Sequence, residues 1–473
     1  NNNRRYVKLS RIKGKNSKVI LFFSLIFVST FCGLSQAKAS EVTINDTLLK
    51  AICTNPEIQA KWHSFAASEK ELASARGGYL PRLDLTAGLG RENLDGAGYE
   101  GRDMQNYTRD GITLSLNQMI YDGSLTTSKV KKYSHSQKMR YFNLVSSIEQ
   151  IALAALRSHE DVLRYQTLVI MAKGNLDRHE EIMHKIEERT KSGVDSKVNL
   201  ETTKGRLALA RVNLMTEESN LHDSTTQYIR IVGENPGEKI INASINIDVP
   251  KNIDSVIEEM LAGNPQLSAY NEQVKSMSFA VNEQKSKMHP RLDLRASTNF
   301  ENDVDGVEGR RDKGVIELIL RYNLFNGGSD KADIERQIEL YKESQENKNK
   351  AERDIRQIAL VSYNDIVTLQ RQLHDLDQHR RSADNTRLVY GKQFEAGRRS
   401  LLDLLDAENE YFQADRAYAN AEFNLVIAKA SYLAAGGNLL QYFNIFDGGL
   451  PTPQQISLEI NRDAVLPEVS NKP

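Results

Sequence analysis

The chain has 473 residues, more than one ordinary domain holds unless the fold is elongated or internally repeated. Its 62 basic and 63 acidic side chains nearly balance, but residues 1–39 contain eight bases and no acid, which leaves 54 bases against 63 acids beyond them. This acidic remainder argues against a nucleic-acid partner. No phosphate-binding loop, activated nucleophile or metal-ligand spacing can be identified, so the sequence predicts no enzyme, no cofactor and no metal site.

Residues 1–39 have the pattern of a secretory signal peptide. A basic segment precedes the apolar residues 19–34, and alanines at 37 and 39 mark a cleavage site. These sixteen residues are fewer than the roughly 20 that a spanning helix needs, which favours a cleaved signal over a membrane anchor. Cys32 lacks the Leu-small-small-Cys pattern of bacterial lipoproteins. Cleavage leaves Cys53 as the only cysteine, so no intrachain disulfide is expected.

The chain contains an internal duplication. Pro-Arg-Leu-Asp-Leu occurs at both 81–85 and 290–294, 209 residues apart, and later matches such as Gly193 with Gly397 are 204 apart. A variable loop in the first half explains the change of offset. The predicted division is a first repeat, a linker, a second repeat and a Pro-containing, poorly ordered C-terminal extension, at 40–233, 234–251, 252–437 and 438–473.

Each repeat is predicted to begin with a helix and continue into a β-hairpin. Asn-Pro pairs at 55–56 and 264–265 place an N-cap residue before a proline in the first helical turn. Apolar residues then alternate with polar ones, most clearly over 292–300 and 316–324. Such alternation over about ten residues fits either a soluble sheet with one wet face or membrane-spanning strands.

The signal peptide and the long helical rods that follow the hairpins favour the membrane alternative. Four strands cannot close a barrel, and open edges are not tolerated in lipid, so several chains must share one barrel. Three chains would supply 12 strands around an aqueous lumen. The aromatic residues that would form the interfacial belt are Tyr79, Tyr121, Tyr322 and Phe325.

Each hairpin is followed by a helical stretch without proline, from about 124 to 190 and from about 329 to 395. At 1.5 Å per residue, each makes a rod of roughly 100 Å. Apolar residues at alternating steps of three and four in the first rod predict coiled-coil packing. A glycine ends each rod, and a serine starts each returning helix; these residues are Gly193, Ser196, Gly397 and Ser400.

From about residue 42 to 437 the sequence resembles the TolC family of outer-membrane efflux and secretion channels. The most specific segment is Phe-Glu-Ala-Gly-Arg-Arg-Ser-Leu-Leu-Asp-Leu-Leu-Asp-Ala at 394–407, which is similar to the family's helix-turn-helix tip at the periplasmic entrance. The resemblance implies a membrane α+β fold: a trimeric 12-stranded β-barrel, four strands per chain, continued by a long α-helical coiled-coil periplasmic barrel.

The same resemblance implies a gate at the helical tips. Asp403 and Asp406 would form the constriction, where repulsion among three chains would raise some carboxyl pKa values. Spacing alone favours the simpler explanation that Asp403 belongs to a capping box with Ser400. The remaining implied residues are the gate-linking Arg399, Phe394 and Asn199 and the tip turns at Gly193 and Gly397.

Two of these residues depart from the family pattern, and Arg399 has a simpler alternative. Phe394 stands where familiar members carry tyrosine, and Asn199 stands where an aspartate often pairs with the arginine. Arg399 could equally be a solvated tip charge, since exposed ion pairs are weak. The closing network is therefore predicted to be weaker or differently connected here.

The function implied is a passive exit duct in the Gram-negative outer membrane that extends into the periplasm. The expected partners are two further copies of the chain, outer-membrane lipid, a periplasmic adaptor and an inner-membrane ABC transporter or other pump. The unlipidated N-terminus resembles secretion-type members and favours type I protein secretion. Small-molecule efflux is the alternative, and a structural coiled-coil protein of the envelope is the alternative from a different class.

Overall fold

In this computed structural model, the described residues are 41–94, 105–237, 239–248, 252–305, 307–446 and 452. The predicted signal peptide and most of the predicted C-terminal extension lie outside these ranges. The first repeat contributes α1 Ile44–Thr54, α2 Pro56–Gly77, β1 Arg82–Leu94, β2 Gln105–Tyr121, α3 Leu125–Lys191 and α4 Lys197–Val232. The second contributes α5 Ile253–Gly263, α6 Pro265–Ser286, β3 Arg291–Val304, β4 Val307–Arg321, α7 Ser329–Glu395, α8 Leu401–Ala435 and α9 Leu439–Tyr442.

The helix boundaries follow the capping residues that the sequence predicted. The Asn55 side chain accepts a hydrogen bond from the Glu57 amide at 2.9 Å, and Asn264 accepts one from the Leu267 amide at 3.0 Å. Each satisfies an amide that has no partner inside its helix. Both long helices, α3 and α7, have 67 residues, as predicted. Among the described parts of the chain, no helix is both long and apolar enough to cross a membrane.

The four strands form one antiparallel sheet in the order β1-β2-β3-β4. Leu85 pairs with Leu114, and Leu294 pairs with Leu318, so their side chains share one face. Leu85 is 70% exposed and Leu318 is 66% exposed. Much of the apolar surface on that face is therefore exposed in the described chain.

The strands are longer than the roughly ten residues expected, at 13 to 17. The difference lies at the loop end, where ladder pairing continues through polar pairs such as Arg91 with Thr108 after the apolar alternation has stopped. Hydrogen bonding along the backbone does not require an apolar partner face. The alternation of apolar and polar residues therefore predicted only the apolar part of each strand and not its full length.

The main core lies where α1, α2 and the middle of α3 meet two irregular segments. Leu48 of α1 and Leu156 of α3 are fully buried there, together with Leu440 and Phe446 from the end of the described chain. Residues 438–446 were expected to belong to a poorly ordered extension beyond Gly437. Instead they are packed, because Leu439, Leu440, Phe443 and Phe446 supply apolar surface to this core.

Three neighbouring polar residues on α3 secure those irregular segments. Glu149 Oε1 accepts from the Leu440 amide at 3.4 Å, and Glu160 Oε1 accepts from the Ala243 amide at 2.7 Å. His159 Nε2 lies 2.8 Å from the Ile241 carbonyl oxygen. A carbonyl can only accept, so this nitrogen donates. Polar side chains from one helix thus hold both the predicted linker and the chain end.

Burial raises the pKa of Glu149 to about 8 and that of Glu160 to about 7, against an ordinary value of 4.5. For such a carboxyl, the stabilising contribution is complete below pH 4.5 and is lost as the pH rises through the folded pKa. Burial also lowers the pKa of His159, because desolvation disfavours its charged form.

We expect Glu149→Gln to flatten the dependence of stability on pH between 4.5 and about 8. The amide cannot ionise, while its oxygen can still accept from Leu440. Denaturant unfolding of the mature protein at a series of pH values measures this. Glu69→Gln, on the exposed face of α2, is the control and should keep the wild-type profile. If the free energy of unfolding of Glu149→Gln depended on pH as steeply as that of wild type, the ionisation of Glu149 would not cause that dependence.

Candidate functional site: the two helical tips

Each pair of long helices reverses direction at a short glycine turn. The first tip, residues 189–200, turns at Gly193 with φ +77°, and the second tip, residues 393–404, turns at Gly397 with φ +69°. This left-handed conformation favours glycine over residues with a Cβ. The following serine then caps the returning helix: Ser196 Oγ accepts from the Asn199 amide and Ser400 Oγ from the Asp403 amide, both at 3.1 Å.

An apolar cluster joins the two tips. Phe394 of α7 packs with Ile182 and Ile186 of α3 and with leucines of α8, and only 7% of it is exposed. The Arg189 guanidinium lies 5.3 Å from the centre of the Phe394 ring. A tyrosine here would have to place a hydroxyl in or beside this cluster. Phe394 therefore links the tips by packing, with no polar bond of its own.

Arg399 and Asn199 are not brought together in the chain. The Arg399 guanidinium lies 4.0 Å from the Tyr390 ring centre, and its Nε donates to Gln393 Oε1 at 3.0 Å. Asn199 instead donates to Asp195 Oδ1 at 2.5 Å within the first tip. Every contact described for these two side chains is therefore local to its own tip.

Asp403 forms the capping box that its spacing allowed. Its carboxylate accepts from the Ser400 amide at 3.4 Å, and Arg399 Nη1 lies 3.7 Å from it. Hydrogen bonding from Ser400, aided by Arg399, holds the pKa of Asp403 below its ordinary value. The predicted repulsion among three chains stays a prediction, and it would act on a carboxylate that the single chain already stabilises.

Asp406 contacts a residue that the sequence analysis did not identify. Its Oδ1 accepts from Arg206 Nη2 at 2.7 Å, which joins α8 of the second repeat to α4 of the first. The Asp406 side chain is 57% exposed and that of Arg206 is 31% exposed, so the pair is screened and contributes little to stability. The pair mainly lowers the net negative charge at this position, because the Arg206 guanidinium lies beside each Asp406 carboxylate.

Comparison of the two repeats shows which charged residues differ between the tips. At the offset of 204, Arg206 corresponds to Glu410 and Asp195 corresponds to Arg399. The two tips therefore share their turns and caps but carry opposite charges at equivalent positions. Opposite charges on neighbouring hairpins can pair across them.

A buried ion-pair cluster joins three long helices behind the tips. Glu408 of α8, with 4% of its side chain exposed, lies 2.9 Å from Arg178 Nε of α3 and 3.6 Å from Arg387 Nη1 of α7. Farther along, Glu217 of α4 lies 2.5 Å from Arg416 of α8. A carboxylate buried this deeply is tolerated because it is matched by guanidinium groups.

A sheet with an exposed apolar face, continued by two long helical hairpins, defines an outer-membrane channel subunit. The family described as "Outer membrane efflux protein" matches residues 47–234 and 256–438, more than half of the chain. The chain belongs to this family. The family consists of outer-membrane channels and not enzymes, so the chain is an outer-membrane channel protein.

Individual relatives are distant but extend over most of the chain. Outer membrane efflux protein BepC of Brucella suis biovar 1 is 20% identical over 405 residues, which cover 85% of this chain and 87% of that protein. Alkaline protease secretion protein AprF of Pseudomonas aeruginosa is 22% identical over 422 residues, covering 84% and 83%. The solved outer-membrane channel OprN aligns with a TM-score of 0.76 at 15% identity, covering 84% and 90%. The predicted fold class, four strands per chain with long helices, is confirmed.

We expect Glu408→Gln to lower the free energy of unfolding by about 1–3 kcal/mol, because it leaves two arginines without their shared carboxylate. The loss should be smaller than for a fully buried pair, since both arginines are partly exposed. Guanidinium unfolding followed by circular dichroism measures it. Glu410→Gln is the matched control, because Glu410 lies on the same helix with its side chain 63% exposed. Equal effects of the two substitutions would contradict a structural role for the cluster.

Proposed function

We propose that three copies of the chain form a passive exit duct across the outer membrane, coupled to a periplasmic adaptor and an inner-membrane pump. The observation that carries this proposal is the four-stranded sheet with one exposed apolar face. Its outer strands, β1 and β4, have no further strand beside them in the described chain. Lipid cannot satisfy such edges, whereas 12 strands from three chains can close around a water-filled lumen.

The helical tips are the proposed entrance of this duct. They lie at the far ends of α3 and α7, separated from the sheet by helices of roughly 100 Å. Asp403 and Asp406 would face the constriction, while Phe394 and Arg399 would shape the tip that holds it closed. The Arg206 contact implies that the constriction carries less net negative charge than its aspartates alone would give.

Type I protein secretion is the proposed task. AprF is named for secretion of an alkaline protease, and PrtF of Dickeya chrysanthemi is named for secretion of proteases. Absence of the lipoprotein pattern at Cys32 is consistent with that type. The alternative, small-molecule efflux, is supported by the pyoverdine export protein OpmQ of P. aeruginosa, which is 22% identical over 413 residues. An ABC transporter is the proposed pump for the first task.

A planar-bilayer recording of the purified mature protein tests the duct and its entrance together. We expect a small conductance with a cation preference that falls in Asp403→Asn/Asp406→Asn and rises in Arg206→Gln, which removes the cation beside Asp406. Arg211→Gln is the control, because Arg211 lies on the same helix and is paired with Glu180 at 3.5 Å.

The outcomes of this recording separate the parts of the proposal. No conductance from a folded protein would reject the duct and favour a structural envelope protein. Conductance with the same ion selectivity in all variants would support the duct. It would also show that Asp403 and Asp406 do not determine the selectivity. A change in Arg211→Gln as large as in Arg206→Gln would show a general charge effect instead of a local one.

Gene deletion in the source bacterium separates the two cargo classes. We expect the deletion to abolish export of one or a few proteins into the medium, and re-expression of the chain to restore it. Quantitative proteomics of the culture medium measures this, alongside growth inhibition by a panel of small toxic compounds. An unchanged set of secreted proteins with increased sensitivity to the compounds would replace protein secretion by small-molecule efflux.

A further inference from the structure

A cluster of basic side chains lies where the helices of the first repeat meet the sheet. We propose that this cluster binds the headgroups of anionic phospholipids in the periplasmic leaflet of the outer membrane. The proposal rests on the membrane location of the chain and does not depend on the cargo. The cluster, called the basic belt below, consists of Arg76, Lys129, Lys131, Lys285 and Lys287, all exposed.

Three contacts place these residues at one level. The Tyr79 hydroxyl, just after α2, donates to Thr127 Oγ1 in the first turn of α3 at 3.0 Å. Lys132 of α3 lies 2.6 Å from Glu283 of α6. Gly123 approaches α6 so closely that an added Cβ would be 2.8 Å from the Ser286 carbonyl oxygen. The end of α2, the start of α3 and the end of α6 therefore meet around one junction.

The junction has an excess of positive charge. The stretches 72–80, 122–132 and 280–290 contain six lysines and arginines but only two acids, Asp122 and Glu283. Asp122 is 9% exposed and accepts from the Thr126 amide at 2.8 Å, while Glu283 pairs with Lys132. Neither acid is described in contact with the five bases of the belt. This excess occurs in a chain whose part beyond residue 39 is acidic.

The belt lies at the depth of lipid headgroups. Tyr79 and Tyr121, at the helical end of β1 and β2, are 43% and 47% exposed and mark the interface that aromatic residues favour. Lys129 and Lys131 follow the first residue of α3 by roughly 6 and 9 Å along the helix axis. The headgroup layer on each side of a bilayer is on the order of 5–8 Å thick.

Helix stability does not explain the lysines of α3. Positive charge is favourable near the C-terminus of a helix and unfavourable near the N-terminus, and Lys129 and Lys131 lie in the first two turns. The repeat architecture does not require them either. At the offset of 204, their counterparts on α7 are Asp333 and Glu335. Attraction to an anionic surface accounts for both observations.

Lipid binding to the purified full-length mature protein in a neutral detergent tests the proposal. Phosphatidylglycerol and phosphatidylcholine with identical acyl chains are titrated separately, and retained lipid is counted by native mass spectrometry. We expect wild type to prefer phosphatidylglycerol, and Lys129→Gln/Lys131→Gln/Lys285→Gln/Lys287→Gln to lose at least about tenfold of that preference. The preference should also fall with added salt, because exposed charges are screened.

The matched control removes the same charge elsewhere. Lys173→Gln/Lys191→Gln/Lys197→Gln/Lys392→Gln changes four exposed lysines far from the sheet and should keep the wild-type preference. Equal binding of the two lipids by wild type, or an equal loss in the control, would overturn the proposal. If the quadruple belt variant does not fold, the pairs Lys129→Gln/Lys131→Gln and Lys285→Gln/Lys287→Gln are tested separately. Each pair should then lose part of the preference.

Discussion

The need to satisfy the edges of a four-stranded sheet governs the rest of this structure. Within the described chain, β1 and β4 each pair on one side only, and leucines such as Leu85 and Leu318 remain largely exposed. Inside a membrane, both problems are solved when neighbouring copies continue the sheet and lipid covers its apolar face. The proposed assembly of several chains follows from that single constraint.

The long helices have a different requirement from the sheet. They lie in water and must be held together by specific side-chain contacts. Their apolar seams are interrupted by buried acidic side chains, each of which has at least one oxygen in contact with a named partner. Glu149 and Glu160 hold backbone segments against α3, and Glu408 is matched by Arg178 and Arg387. Such groups stabilise one arrangement only when every partner is present. They fix the relative positions of helices that heptad packing alone would allow to slide.

Much of the fold could be predicted because it depends on local rules. Asn55 and Asn264 cap helices, Gly193 and Gly397 end them, and period-two alternation identifies the strands. The packed residues 438–446 could not be predicted, because their order depends on distant contacts such as Glu149 with Leu440. At the tips, sequence reasoning located the turns and caps. The partner of Asp406 could not be predicted, because Arg206 lies 200 residues away and no local pattern reveals that the two are close in space.

The two repeats have kept the residues that set backbone shape and have diverged in those that set charge. Arg206 stands against Glu410, and Lys129 against Asp333, at positions that the duplication makes equivalent. A duct built from six helical hairpins of similar shape would therefore have nearly sixfold symmetry in its backbone. The symmetry of its charge distribution would be only threefold. Divergence of this kind lets a charged residue of one repeat pair with an opposite charge of the other, as Arg206 does with Asp406. In the proposed trimer, contacts between unlike charges would also favour alternation of the two kinds of hairpin around the axis, because placing like hairpins side by side would bring like charges together.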